Sequence, residues 1–122
     1  MKRLKLLDAS KFAFDLRSDF SIGTRPRKPG PPERVDAMTV NFVTMEQDAP
    51  HGGEVHPDGD ELLIVISGRI AVTGDTDPTE TLEVGPGEAC LVSMNEWHKV
   101  SVIEHVQLVA ITPGPRGDHR PG

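Results

Sequence analysis

The chain has 122 residues, 36% of them apolar and 26% charged, with 13 Lys and Arg against 19 Asp and Glu for a net charge of −6. That length closes one hydrophobic core and is too short for a second, so any site shares a single pocket. The acidic balance argues against nucleic acid as a partner, and no stretch approaches the roughly twenty apolar residues needed to span a bilayer.

The first residues, Met1-Lys-Arg-Leu-Lys-Leu-Leu-Asp8, carry the charges of a secretory leader without its apolar run, and the expectation is a cytoplasmic protein. Residues 8–22 scatter Phe and Leu without a sustained period, which reads as a short helix or an irregular strand. Residues 25–33 hold four prolines, so they cannot be helix or central strand, because proline lacks the backbone donor. Residues 1–34 are therefore expected to be an irregular N-terminal arm that crosses the surface of the fold. Residues 1–32 carry eight Lys and Arg against three Asp and Glu, whereas the remainder carries five against sixteen. The basic arm could dock on the acidic body.

From Val35 the chain becomes short runs of Val, Ile and Thr bounded by Gly, Pro, Asp or Asn. The pattern predicts strands near 35–45, 53–56, 61–67, 69–74, 79–84, 88–92, 97–103 and 106–112. Eight short antiparallel strands with no helix between them make a sandwich, a jelly roll or a small barrel over 35–112. Cys90 cannot form an internal disulfide and reads as a buried apolar residue in its strand. Alternation from His98 sends Val100 and Val102 inward and Lys99 and Ser101 outward. Trp97 then points away from the pocket, toward a sheet or subunit contact. Residues 113–122 form a Pro/Gly tail, expected to be disordered or laid across a partner subunit.

The segment His56-Pro-Asp-Gly-Asp-Glu61 carries the chemistry. Two strands joined by a four-residue turn would set His56 beside Glu61 across a hairpin, close enough for an imidazole nitrogen and a carboxylate oxygen to meet on one ion. Glu54 lies two residues before His56 and points to the same side. It could ligate the ion, hydrogen-bond a bound water or act as a base. His51, in the preceding loop, could swing in instead. His98 opens a later strand after a tight turn and is the natural further ligand. His105 and His119 read as surface residues.

These residues resemble the cupin motifs. Gly53-Glu-Val-His-Pro-Asp-Gly-Asp-Glu-Leu-Leu-Ile-Val-Ile-Ser-Gly68 is similar to the first motif, with His56, Glu61 and Gly68 in register. Gly87 through His98 is similar to the second. Departures are Glu54 where the first motif usually opens with histidine, Ser93 and Asn95 where the second usually has proline and glycine, and Val102 at the place of its usual asparagine. Asn tolerates left-handed backbone, so Asn95 suits the turn. The resemblance implies an all-β fold, a small antiparallel cupin barrel of the jelly-roll type, with a divalent metal (Mn, Fe, Zn or Ni) on His56, Glu61, His98 and Glu54. It further implies a small-molecule ligand in the barrel and a homodimer that covers the sheet's apolar face.

Two imidazoles and a carboxylate suit the facial triad of non-haem Fe(II), and a second carboxylate favours harder ions. A metalloenzyme such as a dioxygenase, isomerase or lyase fits this set, as does a non-catalytic binding or sensor protein or a structural dimer with a vestigial site. No serine elbow and no phosphate-binding glycine loop occurs.

Overall fold

A computed structural model describes residues 3–30 and 33–122; Met1, Lys2, Pro31 and Pro32, part of the expected arm, lie outside it. The described residues contain strands and turns and no helix. They run β1 (Phe12–Leu16), β2 (Ile22–Pro26), β3 (Met38–Met45), β4 (His51–Val55), β5 (Glu61–Gly74), β6 (Thr81–Val84), β7 (Ala89–Val92), β8 (His98–Pro113) and β9 (Asp118–Pro121). All pair antiparallel in one sheet that folds over on itself, which is the jelly-roll arrangement.

β5 and β8 make the fold close. The first half of β5 pairs with β7 and with the second half of β8, while its second half pairs with β6 and the first half of β8. Where the sequence suggests separate strands at 61–67 and 69–74, and again at 97–103 and 106–112, the structure has two long strands that bend. The register shifts between Val65 and Ile70 let β5 turn a corner without ending. Gly68 makes the bend possible: its φ is +81°, and a Cβ there would press into the backbone carbonyl of His105 on β8.

Alternation along these strands turns Leu63, Val65, Ile70, Val72, Val106 and Leu108 inward, and Val84, Cys90 and Val92 complete the core. Each such side chain contributes about 1.5–3 kcal/mol by leaving water. Val100 and Val102 pack against this core as expected, and Lys99 is exposed.

Both ends of the chain are more ordered than the sequence suggests. Instead of an irregular arm, β1 and β2 form a hairpin through residues 17–21, and β1 pairs with β3. The cause is a buried polar cluster. Asp15 is 6% exposed and accepts hydrogen bonds from Nε (2.7 Å) and Nη2 (3.0 Å) of Arg25 and from the Thr39 hydroxyl (2.7 Å), which ties β1 to β2 and β3. The Pro/Gly tail is likewise ordered, as a strand of the chain's own sheet. β9 pairs with β4, and the Arg120 guanidinium binds the Asp75 carboxylate and stacks 4.8 Å above the Trp97 ring. Trp97 is thus partly covered by a side chain of the chain's own last strand.

Candidate metal centre

His56 follows β4, Glu61 opens β5 and His98 opens β8, so three strand ends converge at one end of the barrel. Their ligand atoms all lie within 4.8 Å of one another, and all three residues are buried. The turn before His98 is locked by Asn95, which adopts φ 68° and donates its backbone N–H to the His56 carbonyl at 3.2 Å. The left-handed conformation expected of Asn95 is the one it has.

Two of the three side chains in the cluster are held from behind. Glu61 Oε1 lies 2.8 Å from His98 Nε2, and its Oε2 accepts a 2.8 Å hydrogen bond from the Thr112 hydroxyl. His98 Nδ1 faces the Glu96 carbonyl at 3.1 Å, so Nδ1 carries the proton there and Nε2 is left to face the centre. His56 is different. It is 3% exposed, yet among the described residues neither ring nitrogen makes an aligned hydrogen bond, although Nε2 stands 3.3 Å from Glu61 and 3.4 Å from Glu54. A buried imidazole aimed at two carboxylates without an aligned partner is what a metal ligand looks like before the ion is counted.

Glu54 sits at the edge of this group rather than inside it. It pairs across the sheet with His98, and its Oε1 is engaged by His51 Nε2 at 2.9 Å. His51 in turn accepts the Gly53 N–H on Nδ1 at 3.2 Å. His51 therefore holds Glu54 and does not join the cluster. His105 and His119 are exposed, as expected, with His119 opposite Glu54 on β9.

The electrostatics follow from this crowding. Burial pushes the Glu61 carboxyl up, but the two imidazoles beside it prevail and hold it at about 2. Burial pushes His56 down, yet the carboxylates of Glu54 and Glu61 outweigh it and raise the imidazole to about 9. His98 is raised against its own burial by Glu61. A cluster of this kind already stores positive charge between two carboxylates, and a divalent ion would replace those protons. Cys90 lies elsewhere in the core with its thiol pushed up by burial, then by Glu61, so it is no nucleophile.

The centre opens into a cavity of about 430 Å³, lined by apolar side chains of the barrel interior and by basic side chains of the N-terminal segment. Sequence reasoning missed Thr112 as a support of the site, and it offered His51 as an alternative to Glu54 where the structure makes it the partner of Glu54. Thr112 lies inward on β8 by simple alternation from Leu108 and Ala110, a signal that was available.

The family described as Cupin domain matches residues 41–112. Among solved structures, a protein of Bacillus halodurans is 24% identical with a TM-score of 0.55, over 70% of this chain and 71% of that one. A cupin-2 domain containing protein from Shewanella frigidimarina is 21% identical with a TM-score of 0.52, over 62% and 70%. An oxalate decarboxylase of Bacillus subtilis is 22% identical with a TM-score of 0.56, over 67% of this chain but 23% of that one. No curated protein sequence matches. Among the described residues, no helix is long and apolar enough to cross a membrane.

Proposed function

Because the chain belongs to the cupin domain family, we propose that His56, Glu61 and His98 hold a divalent metal ion, with Glu54 beside them, in a pocket that binds or acts on a small organic molecule. The observation that carries this reading is His56: a buried ring with no hydrogen bond at either nitrogen, facing two carboxylates. Two imidazoles and one or two carboxylates suit Mn²⁺, Fe²⁺, Zn²⁺ or Ni²⁺. When bound, the ion would supply Lewis acidity to an oxygen of the ligand.

The chain's own residues have separable parts in this. Thr112 and His98 fix the Glu61 carboxylate, and the Glu96 carbonyl sets the tautomer of His98. His51 steadies Glu54 through Oε1, while its Oε2 faces His56 at 3.4 Å on the cavity wall, from where it could exchange a proton with a bound ligand.

Metal analysis of the protein purified without added ions, set against a His56→Ala/His98→Ala variant, tests this. A stoichiometric ion lost in the variant is expected. No metal in the native protein, even after reconstitution with all four ions, would defeat the reading.

A homodimer belongs to the same reading. On the outer face, Phe14, Val40, Ile111, Leu62 and Leu91 lie in register across five adjacent strands, and Leu91 is 66% exposed. Such a stripe calls for cover. Light scattering should give twice the 13.3 kDa chain mass at micromolar concentration, and a value of 13.3 kDa would contradict it.

A further inference from the structure

Two kinds of side chain line the cavity. Val43, Leu63, Val100, Leu108 and Ala110 present carbon, whereas Arg25, Arg27, Lys28, Arg34 and Lys99 present positive charge. Three carboxylates share the wall. Glu54 and Glu61 are taken up by the imidazoles, and Glu33 is mostly exposed and stands 4.0 Å from Arg25.

The basic residues differ in how they are held. Arg25 is bound by Asp15, and Arg27 donates to the carbonyls of Ser10 and Phe42. Lys28 and Lys99 are exposed. Arg34 is half-buried, lines the cavity, and has neither a carboxylate nor a hydrogen-bond partner among the described residues. It also lies next to the metal centre: a Cβ built on Gly117 would fall 3.0 Å from Arg34 Cζ and 3.0 Å from His56 Nδ1, so guanidinium and imidazole flank the same glycine. A half-buried guanidinium offers a planar fork of donors matched to an oxyanion, and nothing among the described residues fills it.

We propose that Arg34 binds the carboxylate of a small organic acid in this cavity. The inference rests on the cavity being the ligand site of the proposed function, and it supplies the class of ligand. The charge count supports it. A divalent ion between Glu54 and Glu61 is neutralised by them, which leaves the cationic wall to set the sign of the pocket. The carbon-lined remainder calls for an anion with an apolar skeleton. One guanidinium, with no helix N-terminus among the described residues, suits a singly charged carboxylate better than a phosphate dianion.

Calorimetry on the metal-loaded protein tests this with benzoate, hexanoate and glutarate, the amides of the first two, and phenyl phosphate as probes. Carboxylates should bind roughly ten- to hundred-fold more tightly than the amides, because a charge-assisted hydrogen bond is worth that factor. Arg34→Ala should lose the preference while keeping its metal content and thermal melt. Arg34→Lys, which keeps the charge without the fork, should retain part of it and covers the case in which the alanine variant does not fold. Equal binding of acids and amides, tighter binding of phenyl phosphate, or an unchanged preference in Arg34→Ala would each overturn the proposal. A native protein that takes up no metal would instead remove the reading beneath it.

Discussion

Two buried polar clusters sit on the inner face of this barrel, and they differ in what they leave unmade. Around Asp15 both carboxylate oxygens are bound, to Arg25 and Thr39, and the cluster's work is finished when β1, β2 and β3 are joined. Around His56 the groups are equally buried and more densely charged, yet the ring has no hydrogen bond of its own. Burial without partners is costly, so a protein tolerates it where something else completes the set. The first cluster is mortar; the second, on the proposed reading, is a socket.

The sharpest way to press this contrast is to remove Arg25. Arg25→Ala leaves a buried carboxylate uncompensated and should destabilise the fold by about 3 kcal/mol in chemical denaturation, while metal content stays unchanged. Loss of metal in that variant would show the two clusters to be one.

Acid should act on the mortar next. The Arg25 guanidinium, against the opposing effect of burial, holds the Asp15 carboxyl below its ordinary 3.8. A depressed carboxyl stabilises the fold fully above its unfolded value and loses that contribution as pH falls through the folded one. Unfolding followed from pH 5 downward should therefore show a loss that Asp15→Asn makes shallower. An identical acid limb in the variant would remove Asp15 from the account.

The smallest change tests the socket. Thr112→Val deletes one hydrogen bond to Glu61 and should cost about 1 kcal/mol of stability. On the proposed reading that bond orients a metal ligand, so metal affinity should also fall, by about ten-fold. A stability loss with unaltered affinity would make Thr112 mortar as well.

Much of this was legible in the sequence for local reasons. Strands rich in Val and Ile, the spacing of His56 to Glu61 and Gly68, and the turn before His98 are all written over short stretches, so the barrel and its three convergent side chains could be read. What could not be read depends on contacts between distant segments. Asp15 drew no reading within the irregular pattern of residues 8–22, because its partners Arg25 and Thr39 become neighbours only once the hairpin lies on β3. The tail was expected to be disordered or laid across a partner subunit, because Pro and Gly mask a four-residue strand whose partner, β4, lies more than sixty residues earlier. Gly68 was read as a strand end, since a bend and a stop carry the same residue. Arg34 carried no signal at all: one arginine in a proline-rich stretch becomes notable only when Gly117 and His56 are found beside it.

The central place of β8 has a consequence for how the chain reaches this state. β3, β4 and β5 all pair with it, and Met38 finds its partner at Pro113. Nearly every closure thus joins residues far apart in sequence, so loop entropy is spent before contacts repay it and folding belongs to the slow, high-contact-order regime. A growing chain has apolar strands β3 and β5 in hand long before β8 emerges from the ribosome. Through that interval their edges stay open to the wrong neighbours, and the fold depends on the late arrival of one sixteen-residue strand.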